Sequence, residues 1–178
     1  MYQGRNRTAL ASQRQIARAM MALMGEGPFG GITVAEVCRR AQVSRQTFYS
    51  LFQSKENVVL YLLREGFSSS SVKIEEGDDQ LRTLCRTYSM FVDVHREVLL
   101  LLAENNLIGL LQDKLYRVLV SSADLCLDLR EEYREYAATF LAAGMARLTE
   151  SFVRQGLDPS SMEEITYNLL CGNCRMDN

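Results

Sequence analysis

Four consecutive hydrogen-bonding side chains begin a helical pattern within residues 43–57, VSRQTFYSLFQSKEN. They are Ser44, Arg45, Gln46 and Thr47. An arginine can bind O6 and N7 of guanine with its guanidinium, and a glutamine can pair in the same way with adenine. Ser44 and Thr47 suit either a helix cap or a phosphate. This stretch therefore favours recognition of double-stranded DNA.

An aromatic and a basic residue extend this polar set. Tyr49 can place its hydroxyl on the DNA backbone while its ring packs underneath. Lys55 lies at the start of a further helix, where free backbone N–H groups already favour a phosphate. Phe48 and Phe52 are four residues apart and face the other way, so we expect them in the core.

Short helices must position these side chains. Residues 8–24 have the spacing of an amphipathic helix, which ends at the glycine-rich GEGPFGG. Thr33 and Glu36 form a capping box that begins a second helix, Ser44 caps a third and Ser54 a fourth. Two short helices joined by a tight turn predict a helix-turn-helix, whose second helix enters the major groove with its N-terminal end.

The remainder of the chain also has helical spacing. We expect helices at about 78–94, 96–103, 106–122, 131–155 and 161–173. The last of these has a possible capping box at Ser160 and Glu163, or at Ser161 and Glu164. The helix at 131–155 has one apolar stripe, formed by Tyr133, Ala137, Leu141, Gly144, Leu148 and Phe152.

Composition predicts an all-α fold and excludes several classes of protein. Prolines number two and glycines 11 among 178 residues, and 47% of the chain is hydrophobic. The longest apolar run, residues 98–103, is far shorter than the roughly 20 residues that cross a bilayer. The N-terminus lacks the apolar region of a secretion signal. We therefore expect a cytoplasmic protein that does not contact a membrane.

Charge is distributed unevenly along the chain. Residues 1–56 hold eight Lys or Arg against three Asp or Glu, a net charge of +5. Residues 57–178 hold 12 against 19, a net charge of −7. The basic part is the one suited to a polyanion. We predict a DNA-binding domain at 1–56 and a second helical domain at 57–178.

Enzymatic chemistry finds little support in this sequence. The chain has one histidine, no phosphate-cradling glycine loop and no nucleophile beside a base, so we expect no enzyme and no cofactor. Five cysteines without a signal sequence favour reduced thiols. The single C-x-x-C at Cys171 and Cys174 is weak evidence for a metal site, and we predict none.

The segment TVAEVCRRAQVSRQTFYSLFQSKENVV resembles the DNA-binding domain of the TetR family of bacterial transcriptional regulators. The matching elements are ITVAEV, A-x-VS, TFY, Phe52 and SKE, in the family's order and spacing. The resemblance covers roughly residues 8–64. It implies a homodimer that binds a near-palindromic operator, and a repressor more readily than an activator. Residues 131–155 and 161–173 would then pair with their copies in the partner subunit.

The resemblance also implies particular DNA contacts. Phosphates would be contacted by Thr33, Tyr49 and Lys55, bases would face Ser44, Arg45 and Gln46, and Thr47 would lie at the groove edge. Arg5 and Arg7 would reach the backbone from the N-terminal arm. Three positions, Gln42, Ser50 and Leu51, depart from the family pattern. Gln42 stands where glycine is usual, which predicts a strained left-handed turn. Ser50 and Leu51 replace larger or polar residues, so one phosphate contact is expected to be missing.

The second domain would, by the same resemblance, bind a small effector. Residues at helical spacing that would line its pocket, or form plain core, are Tyr88, Phe91, His95, Leu102, Leu107, Leu111, Tyr116 and Phe140, with Met90 and Met145 beside them. Some members of the family have lost DNA binding and hold another protein instead. A coregulator that binds a protein partner without operator affinity is therefore the alternative.

Overall fold

The computed structural model describes residues 6–67, 80–121 and 130–171 of the chain. Across these ranges the secondary structure is helical and contains no strand, which confirms the predicted all-α fold. The chain divides into two compact units, Met1–Ser68 and Ser69–Asn178. No helix in the described ranges is long and apolar enough to span a bilayer.

The described part of the first unit contains four helices and one short 3-10 turn. They are α1 (Arg7–Glu26), the 3-10 turn (Phe29–Gly31), α2 (Val34–Ala41), α3 (Arg45–Leu51) and α4 (Lys55–Phe67). The sequence predicted the helices but not the 3-10 turn, because the glycines around Phe29 indicated only a break. The predicted boundary between residues 56 and 57 falls inside α4, which belongs as a whole to this unit.

An apolar core holds the first unit together. Helix α1 contacts α2, α3 and α4, and α2 contacts α3. The Phe52 ring lies 6.2 Å from the Phe48 ring and 5.5 Å from the Tyr61 ring, centroid to centroid. Burial of each such side chain stabilises the fold by about 1.5–3 kcal/mol. The largest buried apolar side chains are Ile16, Met20, Val37, Phe48, Phe52, Val58 and Leu63.

The second unit contains five helices in its described part. They are α5 (Gln80–Val94), α6 (Arg96–Glu104), α7 (Ile108–Ser121), α8 (Glu131–Gln155) and α9 (Pro159–Cys171). Helix α8 packs along α7 and α6, and α9 packs along α5. The long helix predicted at 131–155 has the observed bounds.

Helix α9 begins earlier than predicted, at Pro159 rather than at residue 161. Its first turn is capped by Asp158, whose carboxylate accepts bonds from the Ser161 N–H at 3.0 Å and the Ser161 hydroxyl at 2.6 Å. These bonds lower the pKa of the Asp158 carboxyl. The capping boxes predicted from Ser160 or Ser161 are therefore wrong, because proline at the first helical position and aspartate before it already make the helix start.

The apolar stripe predicted on α8 is also wrong in most of its positions. The buried residues are Ala138, Ala142, Ala146, Thr149, Phe152 and Val153, so the predicted stripe is right only at Phe152. Tyr133 and Gly144 from that stripe are exposed. Small side chains at the buried positions allow α6 and α7 to approach closely, and this leaves the larger residues of α8 on the outside.

Candidate nucleic-acid interface

Two of the four consecutive polar residues build the start of α3. The Ser44 hydroxyl accepts a bond from the Thr47 N–H at 3.0 Å and lies 2.9 Å from the Thr47 hydroxyl. This is the geometry of an N-cap, which satisfies a backbone N–H that the helix itself leaves unpaired. Ser44 and Thr47, both predicted DNA contacts, therefore have a defined structural role at this helix end.

The other polar residues of α3 point away from the core. The Arg45, Gln46 and Tyr49 side chains are exposed, and 52% of Tyr49 is accessible to solvent. Among the described residues, no hydrogen bond or ion pair holds the Arg45 or Gln46 side chain. The Tyr49 ring packs edge-on against the buried Phe48 ring at 5.5 Å, which leaves the outer part of the tyrosine accessible. The structure thus brings these three predicted contacts together on one helix.

The turn between α2 and α3 has the left-handed residue that the sequence predicted. Gln42 has φ 55° and ψ 41°, and it ends α2. The Val43 N–H then donates to the Cys38 carbonyl at 3.0 Å, which closes the turn. Burial raises the pKa of the Cys38 thiol, whose Sγ lies 3.9 Å from the Ser44 carbonyl oxygen. This thiol belongs to the packing beneath the turn.

Thr33 begins α2 in the predicted capping box. Its hydroxyl accepts a bond from the Glu36 N–H at 3.2 Å and donates to the Glu36 carboxylate at 2.7 Å. The carboxylate also accepts the Thr33 N–H at 2.8 Å, and the bonds from Thr33 lower the pKa of the Glu36 carboxyl. The one hydroxyl proton of Thr33 is thus directed at Glu36, and a phosphate contact would require it to turn.

Lys55 has a different environment from the one predicted. Its ammonium donates to the backbone carbonyls of Phe29 at 2.9 Å, Ile32 at 3.0 Å and Gly30 at 3.4 Å. An ammonium has three N–H donors, so all three are engaged within the protein. A phosphate contact through the same ammonium conflicts with this geometry. The sequence did not show it because the carbonyls lie 23 to 26 residues before Lys55.

Four further positions were considered for DNA contact: Arg5, Arg7, Ser50 and Leu51. Leu51 is buried, and the Ser50 hydroxyl donates to the Thr47 carbonyl at 2.9 Å, so neither position offers a long polar side chain to DNA. Arg7 is exposed in the first turn of α1, whose cap is Asn6. Arg5 lies outside the described residues.

Several residues predicted for an effector pocket form an aromatic cluster within the second unit. The buried rings of Tyr88 and Phe91 stack at 6.0 Å, and the His95 ring lies 4.9 Å from Phe91. The Tyr88 hydroxyl lies 2.6 Å from the Thr149 hydroxyl, and burial raises the pKa of Tyr88 well above its usual value.

Other predicted pocket residues are separate from this cluster or exposed. Leu102 and Leu111 are fully buried, Leu107 is half-buried, and the Tyr116 hydroxyl donates to Glu135 at 3.1 Å. Phe140 is 77% exposed on α8, so the structure does not bring it to the interior. Of the two residues predicted beside the pocket, Met145 is half-buried and Met90 is 60% exposed.

Metal chemistry finds no site in the described part of the chain. No cluster of three or more His, Cys, Asp or Glu residues there is arranged to hold an ion. Among the described residues, Cys38, Cys85 and Cys171 take part in no disulfide. Cys174, the second residue of the C-x-x-C pair, lies outside the described residues.

A capped α3 following a tight turn from α2 defines a helix-turn-helix protein. Residues 16–62 match the bacterial regulatory proteins of the tetR family. Over 60 residues the chain is 30% identical to the HTH-type dhaKLM operon transcriptional activator DhaS of Lactococcus lactis subsp. lactis (strain IL1403). That match spans 34% of this chain and 32% of the relative, so it covers about a third of that protein's length.

Two solved structures have a similar fold across most of the chain. A structure described as the dihydroxyacetone kinase operon activator DhaS has a TM-score of 0.58 at 18% identity, covering 91% of this chain and 95% of that one. A TetR-like transcriptional regulator from Rhodococcus sp. RHA1 has a TM-score of 0.54 at 15% identity, covering 89% and 92%. At these identities the likeness establishes the fold alone.

Residues 16–62 thus resemble the DNA-binding domain of the TetR family of bacterial transcriptional regulators, as the helix-turn-helix motif implied. The resemblance stated from the sequence is thereby confirmed. The relative that matches this segment is described as a transcriptional activator.

Proposed function

We propose that this regulator binds a near-palindromic DNA operator as a homodimer and responds to a small molecule in its second unit. The observation that carries the proposal is the first turn of α3. There the Ser44 cap fixes the helix start while Arg45, Gln46 and Tyr49 stay exposed. Base-contacting side chains of a helix-turn-helix belong in this turn, because the helix enters the major groove by its N-terminal end.

The roles of individual side chains follow from their chemistry. Arg45 would bind O6 and N7 of guanine, and Gln46 would pair with adenine. Tyr49 would donate its hydroxyl to a phosphate, with Arg5 and Arg7 contributing charge from the N-terminal arm. Ser44 and Thr47 would hold the helix start and lie close to the groove. Thr33 would contact a phosphate only with its hydroxyl turned from Glu36.

The distribution of charge also supports DNA binding by the first part of the chain rather than the second. The net charge of +5 over residues 1–56 suits a polyanion, and the −7 over residues 57–178 does not. If a dimer neutralises about six to ten phosphates, its affinity for DNA should fall as salt is added. A plot of log binding constant against log salt concentration would then have a slope of about −5 to −9.

The proposed dimer interface lies on α8 and α9. Large apolar side chains exposed there are Tyr133, Tyr136, Phe140, Ile165 and Leu169, with Tyr136 at 76% and Phe140 at 77% exposure. Within α8 and within α9 their spacing of three or four residues places them on one side of the helix. A second copy that covers this apolar surface would also supply the second recognition helix.

The aromatic cluster of Tyr88, Phe91 and His95 is where we place effector sensing. A ligand that prefers one arrangement of the helices shifts the population toward it and so changes operator affinity. The direction of regulation has two candidates. Repression is what the family resemblance implies, whereas the relative described as an activator favours activation.

Selection of DNA tests operator binding. Purified protein would be mixed with fragmented DNA from its source at near-physiological salt, and the retained fragments sequenced. We expect a shared near-palindromic site, bound at least about 30-fold more weakly by Arg45→Ala, since the dimer loses two bidentate base contacts that are each worth about 1–3 kcal/mol. Arg117→Ala, the same change at an exposed position on α7, should bind as the wild type does. No enrichment over bulk DNA would overturn the proposal and favour a coregulator that binds a protein partner.

Light scattering tests the dimer. Phe140→Asp places a charge at a proposed contact, and we expect a dimer in the wild type and a monomer in this variant. Val94→Asp makes the same change at a residue 73% exposed on α5 and should leave the dimer intact. A wild-type monomer at micromolar concentration would contradict the interface. A reporter gene placed behind the selected site would then distinguish repression from activation.

A further inference from the structure

The ammonium of Lys55 lies at the centre of a carbonyl cluster, defined as the backbone oxygens of Phe29, Gly30 and Ile32. The three oxygens lie 2.9, 3.4 and 3.0 Å from Nζ. The Phe29 ring adds a cation–π contact, with Nζ 4.4 Å from the ring centroid.

From this geometry we infer that Lys55 is a positioning residue for DNA recognition, which fixes the start of α2 against α4 and does not contact phosphate. The inference rests on the proposed operator binding. A positive charge in the first turn of a helix is opposed by the helix dipole, so Lys55 at the start of α4 is unfavourable on its own. The carbonyl cluster supplies the compensating negative ends of three peptide dipoles.

The consequence for DNA recognition follows from the position of the cluster in the chain. The Ile32 carbonyl belongs to the peptide bond that joins Ile32 to Thr33, the cap of α2. Holding this oxygen at Lys55 fixes where α2 begins relative to α4. Because α2 contacts α3, the same bond restricts how α3 is presented. Loss of the ammonium would displace α2 without changing any base contact directly.

Arginine cannot replace lysine at such a site. The ammonium is a compact point charge with three rotatable donors, whereas the guanidinium is planar and holds its five donors in a rigid fork. Three carbonyls that converge on one atom match the first geometry. A phosphate, in contrast, accepts arginine at least as well as lysine. Lys55→Arg therefore separates the two roles.

Operator affinity and its salt dependence make the first test. For Lys55→Arg and Lys55→Met we expect the Kd to rise about tenfold, from the loss of charge-assisted bonds, while the salt slope keeps the wild-type value. Lys114→Met, the same chemical change on α7, should alter neither quantity. A phosphate contact predicts wild-type affinity in Lys55→Arg and a slope less steep by about 2 per dimer in Lys55→Met. That result would overturn the inference.

A second test observes the Lys55 ammonium directly, first in the free protein and then with operator DNA. The chain has only three lysines, at positions 55, 73 and 114, so ¹⁵N-lysine labelling gives at most three ammonium signals in an NMR spectrum. We expect the Lys55 signal to be sharp and protected from exchange with water, and to keep its chemical shift when operator DNA is added. An ammonium that exchanges fast in the free protein, or shifts on adding DNA, would overturn the inference.

The two tests fail in distinguishable ways. A protected Lys55 signal in a protein that retains no DNA would overturn operator binding and leave Lys55 as the residue that holds α2 on α4. An unprotected signal in a protein that binds its operator would overturn the role of Lys55 and leave the proposed function standing.

Discussion

Polar side chains in the first unit bond mainly to close neighbours in the chain, whereas several in the second unit also bond to partners more than 50 residues away. Ser44 and Thr33 each bond to a partner three residues away. Tyr88 bonds to Thr149, 61 residues later, and Arg154 donates to the Ala103 carbonyl 51 residues before it. The first unit therefore prepares its surface by local caps, and the second holds its helices together with non-local contacts.

The turn between α8 and α9 shows the non-local pattern again. The Ser89 hydroxyl donates to the Pro159 carbonyl, and the Arg96 guanidinium donates to the Leu157 carbonyl. These donors lie on α5 and at the start of α6, about sixty to seventy residues before the turn. In the first unit, the bonds from Lys55 to the carbonyl cluster are a long-range exception.

Apolar truncation should affect the two units alike, and it has the largest effect that we predict. Phe48 and Leu102 are both fully buried. Phe48→Ala should lower the free energy of unfolding by about 3–5 kcal/mol, and Leu102→Ala by about 2–5 kcal/mol, because each removes contacts and leaves a cavity. Urea unfolding followed by circular dichroism measures both. A cost below about 1 kcal/mol at either site would contradict the described core.

Loss of a long-range hydrogen bond should affect stability in the second unit. Tyr88→Phe keeps the ring and removes the bond to Thr149, and we expect it to lower the free energy of unfolding by about 1 kcal/mol. Tyr49→Phe, measured without DNA, is the matched control, since that side chain is 52% exposed and should tolerate the change. Equal costs for both variants would show that the Tyr88 bond does not stabilise this unit.

Burial raises the pKa of Tyr88, so the stability of the second unit should also depend on alkaline pH. In the unfolded chain its phenol ionises near pH 10, whereas burial keeps the folded phenol protonated to higher pH. The stability from this proton is complete below about pH 10 and declines by about 1.4 kcal/mol per pH unit until the folded pKa is passed. Tyr88→Phe should therefore flatten the loss of stability above pH 10, as measured by urea unfolding between pH 8 and 11 (roughly the range that brackets the free phenol).

Sequence reasoning was most successful where the physical cause is local. The capping box at Thr33 and the cap at Ser44 follow from residues within a few positions, and the structure contains both. The left-handed Gln42, which the structure also contains, was expected from the family resemblance. The helix bounds followed from periodicity for the same reason. The family resemblance added the DNA contacts and the effector pocket, which no spacing alone would have shown.

Errors arose where the deciding contact is distant in the chain. Nothing near Lys55 indicates that three carbonyls from the turn before α2 surround it. The buried face of α8 depends on which helices pack against it, so the periodicity of its own sequence selected a stripe in which only Phe152 is buried. Phe140 was placed in an interior pocket because its spacing cannot distinguish an inner face from a surface that a second copy would cover.

A local cap in the first unit should have a modest and separable effect. Ser44→Ala removes the acceptor for the Thr47 N–H and should lower the free energy of unfolding by about 1 kcal/mol. Ser50→Ala, which removes an exposed bond within the same helix, should change it by less than about 0.5 kcal/mol. If Ser44→Ala proves as stable as the wild type and still binds DNA more weakly, its hydroxyl contacts the nucleic acid rather than the helix.

The smallest effects are expected at two helix ends with the same backbone conformation. Gln42 ends α2 with φ 55°, and Gly156 ends α8 with φ 67°. A side chain in this region costs about 1–2 kcal/mol, but glycine also loses about 0.5–1 kcal/mol more backbone entropy on folding. Gln42→Gly should therefore stabilise the chain by roughly 0.5 kcal/mol, and Gly156→Ala should destabilise it by a similar amount.

If Gln42→Gly raises the free energy of unfolding and Gly156→Ala lowers it, backbone strain rather than side-chain contacts determines the stability of these two helix ends. A Cβ added at Gly156 would meet nothing within 4 Å, and the Gln42 side chain is exposed, so packing should contribute little at either end. If Gln42→Gly instead lowers the melting temperature, the glutamine must stabilise the turn by a contact of its own. A contact of the Gln42 side chain would then offset the backbone strain at this position, where the family that the segment resembles usually has glycine.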